Sequence, residues 1–322
     1  MKASVNYVND GPAVLRYEDL PDPVPAADQV MVQVRSIGIQ GGDLLAREHG
    51  ALPTIPHVVG YQAAGVVAEV GSDVTGFRVG QRVTAVATAG SHAELFCAPA
   101  ATVWPIPDEL SFDEAAAVPV EFGTAHDCLF EFGRLHAGET VLVHSAASGV
   151  GIAAVQLARA AGARVIGTAS NDQRVAQLGE YGLDLGINYT TTDTVVAVMA
   201  ATDGRGVDLV VDAVGGPILQ QSIAALAYRG RISWVGNAGR GREQPNITPL
   251  MPLNASLNGV FFGAELFHSH DRVYALVEGL LDRVTSGELK VVIDSTFTLR
   301  EAAAAHRRVE SRLAFGRVVL HP

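Results

Sequence analysis

A run of small residues between an apolar segment and an Ala-rich segment could bind phosphate groups. The order is VLVHS, then AASGVG, then IAAVQLARAAGA. A strand that turns tightly into a helix lets the backbone approach a pyrophosphate, and the helix N-terminus offers free N–H groups. Ala146, Ser148 and Gly151 occupy the glycine positions of G-x-G-x-x-G, and Gly149 and Val150 lie within the same turn. The segment predicts a dinucleotide site; an ordinary strand-to-helix turn is the alternative.

Residues further along the chain distinguish between the two nicotinamide dinucleotides. An NADH enzyme usually has an acidic side chain at the end of the second strand, about 20 residues after the loop. Here Ala169 is at that place, and Ser170 and Arg174 follow it. A hydroxyl and a guanidinium can bind a 2′-phosphate that a carboxylate would repel. Asp172 lies past the strand end and is interpreted as a first-turn acid of the next helix. The sequence therefore favours NADPH over NADH.

The elements that must position this site alternate between apolar β segments and Ala-rich helical segments. Strands are predicted at 140–144, 164–168, 185–188, 209–213 and 231–235. Such alternation is typical of a parallel sheet with helices on its faces. The second part of the chain is therefore predicted to be a doubly wound α/β domain.

The first 120 residues or so have a different pattern. Short β segments, at 29–34, 65–70 and 81–87, are separated by Gly, Pro and Asp. They predict a β-rich, barrel-like domain. An amphipathic helix at 271–286, a strand, a helix at 299–311 and a last strand follow the α/β part, and their polar surfaces suit a return to the first domain.

Composition restricts the class of protein. With 322 residues, 48% hydrophobic and 18% charged, the chain is expected to fold into two globular domains. The net charge of -11 argues against nucleic acid or an anionic membrane as the main partner. Two cysteines are too few for a disulfide framework, which favours a reducing, cytoplasmic setting. Neither a secretory signal nor an apolar run long enough to span a membrane is found, so a soluble protein is expected.

Several linked motifs carry a resemblance that covers nearly the whole chain. They are GYQAAGVVAEV from Gly60, GFRVGQRV from Gly76, LSFDEAAAVP from Leu110, FGTAHDCL from Phe122, HSAASGVG from His144, GVDLVVDAVGG from Gly206, GRISWVGNAG from Gly230 and LREAAAAHRRVESRLAFGRVVL from Leu299. In this order and spacing, the chain resembles the quinone oxidoreductase, or zeta-crystallin-like, branch of the medium-chain dehydrogenase/reductase superfamily.

The resemblance implies a fold and a set of cofactor residues. The expected fold is α/β: a Rossmann doubly wound parallel sheet over 122–269 and a GroES-like β-rich barrel domain over 1–121, completed by 270–322. A cofactor in the cleft and a homodimer are also implied. The positions that correspond to adenosine 2′-phosphate contacts are Ser170, Arg174 and Tyr189, the nicotinamide side is represented by Thr124, and the cofactor-lining strand ends are Val214, Gly215, Gly236 and Asn237. Ordinary turn glycines and a half-buried Tyr189 are the structural alternatives.

The resemblance also implies a site without zinc. Gln40, Tyr61 and Gln62 stand where the alcohol dehydrogenase branch has the Cys, His and Glu of its zinc site. Without a Lewis acid, an acceptor that is already electrophilic is expected, such as a quinone or an α,β-unsaturated carbonyl compound. The candidate catalytic residues are Gln40, Asp43, Tyr61 and Thr124; a loop-stabilising Asp43 and a core-packing Tyr61 are the alternatives.

Three functional hypotheses follow. The first is an NADPH-dependent reductase of quinones or α,β-unsaturated carbonyls. The second is an enoyl reductase of a biosynthetic pathway, because that group has the same fold and motifs. The third is a catalytically weak, crystallin-like NADPH-binding protein, because Gln40, Leu45 and Gln62 depart from the residues common in the family.

Overall fold

Two groups of segments pack as separate units in the computed structural model, which describes all residues, Met1–Pro322. The first unit comprises Met1–Val120 and Leu266–Pro322, and the second comprises Glu121–Glu265. The C-terminal segment therefore belongs to the same unit as the N-terminal part of the chain. No helix of the structure is long and apolar enough to cross a membrane.

The strands are numbered in chain order. They are β1 (Lys2–Asn6), β2 (Arg16–Asp19), β3 (Gln29–Gly38), β4 (His57–Val58), β5 (Gln62–Val70), β6 (Arg82–Val86), β7 (Leu95–Pro99), β8 (Val103–Pro105), β9 (Thr140–Val143), β10 (Arg164–Ala169), β11 (Leu185–Asn188), β12 (Val207–Asp212), β13 (Leu226–Trp234), β14 (Ser256–Gly259), β15 (Ile293–Thr298) and β16 (Arg317–His321).

The α-helices are α1 (Gly41–His49), α2 (Phe112–Ala115), α3 (Pro119–His126), α4 (Gly149–Ala160), α5 (Asp172–Leu178), α6 (Thr194–Ala201), α7 (Pro217–Ala224), α8 (Leu250–Leu253), α9 (Phe262–His268), α10 (His270–Thr285) and α11 (Ala302–Glu310). A π-helical turn, Asp127–Glu131, continues α3, and four short 3-10 helices complete the set.

The second unit contains a six-stranded sheet in the order β11-β10-β9-β12-β13-β14, with every neighbouring pair parallel. Counted from β9, this is the order 3-2-1-4-5-6 of a dinucleotide-binding sheet. The apolar run Thr140–Val143 is buried on both faces, as a central parallel strand requires. The order reverses between β9 and β12, where ligands bind at the carboxyl ends of such sheets. The predicted doubly wound α/β domain is confirmed.

The first unit is built on a longer sheet, which follows the path β15-β16-β3-β5-β6-β8 while β7 also pairs with β3. Its pairs are antiparallel except for β15 with β16. A valine-rich core lies against it and includes Val30, Val32, Val67, Val83 and Leu320. A second sheet has the order β2-β1-β4, and a short turn after β4 leads into β5. The predicted β-rich domain is therefore also confirmed.

The sequence-based expectation missed the outer strand β14. Its four residues, SLNG, have no apolar alternation and are all partly or fully exposed, and only the four-residue helix α8 precedes it. A short polar edge strand leaves no periodic signal. The sheet thus has six strands where five were predicted.

Candidate functional site

The turn after β9 has the geometry of a phosphate-binding loop. Ser148 is the N-cap of α4, and its hydroxyl accepts a hydrogen bond from the Gly151 N–H at 3.1 Å. A Cβ added at Gly151 would lie 2.3 Å from the Ser145 carbonyl oxygen, so only glycine permits this approach of helix to loop. Ala146 is buried under the turn, and Gly149 and Val150 begin the helix with their N–H groups at its N-terminus.

The loop is fixed from below by the neighbouring strand. Ser145 has a left-handed backbone, with φ of 53°, and its N–H lies 3.2 Å from the Thr168 hydroxyl. The Ala146 N–H donates to the Thr168 carbonyl oxygen at 2.9 Å. Burial lowers the pKa of His144, the residue before this turn, although nearby Asp212 opposes that shift. The burial of this imidazole therefore disfavours its charged form.

The end of β10 brings together the two residues that were expected to bind a 2′-phosphate. The Arg174 Nη1 donates to the Ser170 hydroxyl at 3.1 Å, and the Arg174 N–H donates to the Asn171 side chain, the N-cap of α5. The main-chain N–H of Tyr189 donates to the Ala169 carbonyl oxygen at 3.1 Å, which sets the half-exposed Tyr189 beside the same strand end.

Asp172 does not compete for that position. Its carboxylate accepts a hydrogen bond from the Asn188 amide at 2.8 Å, in the first turn of α5. Ala169, not an acidic residue, ends the strand. A hydroxyl and a guanidinium in contact at this edge suit a phosphate dianion, because both can donate to its oxygens.

The ends of β12 and β13 form the rest of this edge. Gly215 has a φ of 70°, and a Cβ there would lie 2.7 Å from the Asn237 side-chain oxygen. The Asn237 amide donates to the Gly241 carbonyl, while its buried Oδ1 has no partner. Gly236 accepts a hydrogen bond from the Trp234 indole at 2.7 Å. The unused Asn237 oxygen is an acceptor suited to an amide such as that of a nicotinamide ring.

Asp212 organises this edge and was missed in the sequence analysis. It is fully buried, and its Oδ1 accepts the N–H groups of Val214 at 2.8 Å and Gly215 at 2.9 Å. Its Oδ2 accepts from the Ser222 hydroxyl at 2.8 Å. The signal was an acidic residue at the end of an apolar strand, three residues before the first glycine of Gly215-Gly216, where a buried carboxylate can fix a turn.

Three of the candidate catalytic residues lie in the first unit, two of them, Gln40 and Asp43, where β3 passes into α1. Gln40 is the N-cap of α1, and its N–H donates to the Asp43 carboxylate at 2.7 Å. Asp43 thus closes the first turn, the loop-stabilising role that was one of its two interpretations. Gln40 is 2% exposed, and its Nε2 is buried without a hydrogen-bond partner. Tyr61 lies close by, because a Cβ at Gly42 would be 2.7 Å from its hydroxyl oxygen.

Gln62 and Thr124 differ from these residues in their surroundings. Gln62 is buried, accepts from the Val120 N–H at 2.9 Å and donates to the Ala116 carbonyl, so it bridges backbone segments. Thr124 lies in the second unit, on α3, and is 6% exposed. A Cβ at the preceding Gly123 would lie 2.3 Å from the Phe262 ring.

Groups of three or more His, Cys, Asp or Glu side chains that could hold a metal ion are not found in the structure.

Comparisons with known proteins bear on both units. The alcohol dehydrogenase GroES-like domain matches residues 26–108, and the zinc-binding dehydrogenase domain matches residues 149–282. The chain is 30% identical to the quinone oxidoreductase of Sus scrofa over 315 residues, which covers 96% of this chain and 94% of that protein. It is 33% identical to the 2-haloacrylate reductase of a Burkholderia species over 330 residues, with coverages of 99% and 98%.

Solved structures show the same relationship. The crystal structure of Escherichia coli quinone oxidoreductase complexed with NADPH superimposes with a TM-score of 0.95 at 28% sequence identity, and the match covers 100% of both chains. A structural relative of this chain has therefore been solved with NADPH bound.

Proposed function

Because the chain belongs to the quinone oxidoreductase branch of the medium-chain dehydrogenase/reductase superfamily, we propose that it is an NADPH-dependent reductase of quinones or α,β-unsaturated carbonyl compounds that works without zinc. Its oxidoreductase class, its fold and NADPH as its cofactor follow from that membership. The acceptor, the absence of a zinc requirement and the roles of individual residues are proposals.

The residues of the second unit fit NADPH. The close approach of α4 to the Ser145 turn at Gly151 is typical of a loop that binds a pyrophosphate at a helix N-terminus, and the contact between Arg174 and Ser170 provides donors for a 2′-phosphate. The free Asn237 Oδ1 provides an acceptor for the nicotinamide amide. When bound, NADPH supplies the hydride. Ala146, Ser148, Gly149, Val150, Tyr189, Val214, Gly215 and Gly236 are proposed to line the same cofactor.

The buried, unpaired Nε2 of Gln40 is the observation that carries the proposed acceptor chemistry. An acceptor that receives a hydride gains negative charge on its oxygen, and a donor fixed beforehand stabilises that charge. We assign this role to the Gln40 amide, and proton donation to the Tyr61 hydroxyl. Asp43 holds Gln40 through the N-cap contact, and Thr124 is assigned to the nicotinamide side.

The residues at the former metal positions support zinc independence. Gln40 offers an unpaired N–H donor, and the Gln62 amide is already engaged with backbone at Ala116 and Val120. Thiolate, imidazole and carboxylate are the side chains that bind catalytic zinc, and none of them occupies these places. A hydrogen-bond donor therefore replaces a Lewis acid in the proposal.

Turnover of an acceptor panel tests the function. Protein purified in the presence of a chelator should oxidise NADPH with a quinone, a 2-alkenal or an enone, and zinc should not increase the rate. Inertness toward the whole panel, with tight NADPH binding, would instead support the weakly catalytic binding protein.

An enoyl reductase is the second candidate. The relative named 2-haloacrylate reductase favours it, since its name describes an alkene conjugated to a carboxyl group. The enones of the first candidate and the enoyl compounds of the second both accept hydride at the β-carbon of a conjugated alkene. A kcat/KM that is higher for enoyl thioesters or enoates than for quinones would identify this candidate.

A homodimer is also proposed. The outer edge of β14 has no neighbour in this chain, because β14 pairs only with β13. Exposed apolar side chains lie on the segments around it, namely Trp234, Met251 and Phe261. Unpaired strand edges with apolar neighbours are typical of association surfaces. Light scattering should give twice the 33.7 kDa chain mass; a single-chain mass would contradict the dimer.

A further inference from the structure

A row of buried side chains in the first unit connects α11, α1 and the loop before β7. The Arg47 Nη1 lies 2.9 Å from the His306 Nδ1, and the His306 Nε2 lies 3.0 Å from the His92 Nε2. All three side chains are fully buried. The Arg47 charge is balanced by Glu310 at 2.5 Å, and its Nε donates to the Asp10 carbonyl oxygen. We call Arg47, His306 and His92 the buried triad.

The chemistry of the triad fixes the position of each imidazole proton. A guanidinium can only donate, so the His306 Nδ1 must accept. A neutral His306 then carries its proton on Nε2 and donates it to the His92 Nε2. The His92 proton is therefore on Nδ1. A second proton on either ring would place two N–H donors opposite each other with no acceptor between them. Burial also disfavours that proton, because it lowers the pKa of both histidines, that of His92 to about 3.

The triad ends at the turn that carries Tyr61. The His92 Nδ1 lies 3.5 Å from the Ser91 hydroxyl, and a Cβ at Gly60 would be only 1.9 Å from that nitrogen. The Ser91 N–H donates to the Gly60 carbonyl at 2.9 Å, and the His92 N–H donates to the Val59 carbonyl at 3.0 Å. The imidazole thus lies directly against the turn between β4 and β5.

The other end of the triad lies on the helix that begins with Gln40. Arg47 belongs to α1, whose first turn contains Asp43. The two segments that supply Gln40 and Tyr61 are therefore connected by one hydrogen-bonded chain of buried side chains. None of these three side chains is among the groups assigned above to NADPH or the acceptor.

We propose that His306 and His92 are positioning residues, which hold the Tyr61 turn in register with the start of α1 through a single, fixed order of imidazole protons. This role rests on the proposed reductase function, because Tyr61 and Gln40 are its acceptor-side donors. Two imidazoles with fixed protons restrict the position of the turn to a smaller range than apolar packing would. The reason is that each hydrogen bond has a defined direction.

Nuclear magnetic resonance of 15N-histidine-labelled protein tests the proton order without turnover. Two-bond couplings identify the protonated nitrogen of each neutral ring. At neutral pH, His306 should be the Nε2–H tautomer and His92 the Nδ1–H tautomer, which is the less common form in solution. His92 in the Nε2–H form, or a cationic ring at either position, would overturn the proposal.

Two substitutions at one position test the positioning role. In His306→Gln, the amide oxygen can accept from Arg47 and the amide nitrogen can donate to His92, so the chain of hydrogen bonds persists. In His306→Leu both bonds are lost. The Leu variant should show faster hydrogen exchange at the Ser91 and His92 amides and a kcat/KM for the acceptor that is about tenfold lower or more. The Gln variant should stay close to the wild type in both measurements.

The Kd for NADPH should be unchanged in both variants, because the groups assigned to the cofactor lie on the second unit. Equal acceptor kcat/KM and equal exchange in the Leu variant and the wild type would overturn the positioning role. If the Leu variant does not fold, His306→Asn, which is too short to reach both partners, replaces it. An inert wild type would refute the reductase function, while the tautomers and the exchange rates would still decide the positioning role.

Discussion

The side-chain amide of Gln40 combines deep burial with a donor that nothing in the chain uses. A buried polar group without a partner costs free energy, so such groups are rare and commonly serve a function. Its backbone position is fixed by the contact with Asp43 at the start of α1. The backbone that carries the proposed donor is therefore fixed, and a donor fixed beforehand is the condition for efficient charge stabilisation.

Replacement of Gln40 by leucine tests this role. Gln40→Leu preserves size and removes the N–H, so kcat for the acceptor should fall on the order of tenfold to a hundredfold while the Kd for NADPH stays the same. Steady-state kinetics and fluorescence titration measure the two quantities. Gln33→Leu, at an exposed glutamine of β3, is the matched control. An unchanged kcat in Gln40→Leu would remove Gln40 from the chemistry.

Arg174 provides the test of cofactor preference. The loss of its guanidinium in Arg174→Ala should raise the KM for NADPH about tenfold or more, because a charged donor to the 2′-phosphate is lost. The KM for NADH should change little. Arg205→Ala, which removes an exposed arginine paired with Asp208, is the control within the same unit. Equal effects on both cofactors would show that Arg174 is only a structural residue of α5.

At the scale of elements, the close approach of α4 to the preceding turn depends on Gly151. In Gly151→Ala, the new Cβ would meet the Ser145 carbonyl oxygen at 2.3 Å, so the helix must move away from the loop. The Kd for NADPH should rise about tenfold, and overpacking should lower the free energy of unfolding by about 1–3 kcal/mol. Gly279→Ala in α10 meets no atom within 4 Å and should stabilise its helix. Normal NADPH binding in Gly151→Ala would contradict the proposed loop.

The ion pair between α11 and β15 predicts how the thermal stability of the protein depends on pH. Asp294 accepts two hydrogen bonds from Arg308, at 2.9 and 2.8 Å, and one from the Phe315 N–H at 2.9 Å. Burial alone would raise the pKa of this carboxyl, but Arg308 and the other donors outweigh it, so its pKa lies below the ordinary value.

A carboxyl with a lowered pKa stabilises the fold above its unfolded pKa, and that stabilisation is lost as the pH falls through the folded pKa. Asp294→Asn should therefore lower the Tm at neutral pH, and the difference from the wild type should vanish in acid. Thermal unfolding across a pH series measures this, with Asp282→Asn, at an exposed position of α10, as the control. A Tm difference that persists unchanged in acid would contradict the ion-pair account.

The elements differ in how much of them the sequence predicts. The buried strands β9, β10 and β12 are apolar runs followed by helices, so pattern alone locates them. The strand β14 has no such pattern, because its residues are polar and only partly covered. Asp212 could be seen in the sequence, but its three hydrogen bonds depend on where Val214, Gly215 and Ser222 come together in the fold.

The buried triad could not be predicted from the sequence. Arg47, His92 and His306 are distant in sequence, and each alone is an ordinary basic residue. Only tertiary packing brings their side chains into one hydrogen-bonded row. The turn after β9, in contrast, is local, so the sequence places Ser148 and Gly151 together in one strand-to-helix turn, and their binding of phosphate stays a prediction.

For the whole molecule, the family and the cofactor class are better determined than the acceptor. The motifs and the fold are distributed over both units, whereas the proposed acceptor chemistry is assigned to a few side chains such as Gln40 and Tyr61. The proposed reaction is the transfer of a hydride from NADPH to an electrophilic acceptor without zinc. It concerns the intact protein, because the assigned groups lie on both units.

Transfer of deuterium from NADPH labelled at the reactive C4 position is the most direct test. Metal-free protein is incubated with the labelled cofactor and, in separate reactions, with a 2-alkenal, an enone or a quinone, and each product is analysed by mass spectrometry and nuclear magnetic resonance. We expect deuterium on the β-carbon of the saturated product from the 2-alkenal or the enone, formed at a rate that added zinc does not increase. A product without deuterium, a requirement for zinc, or no product from quinones and enones alike would contradict it.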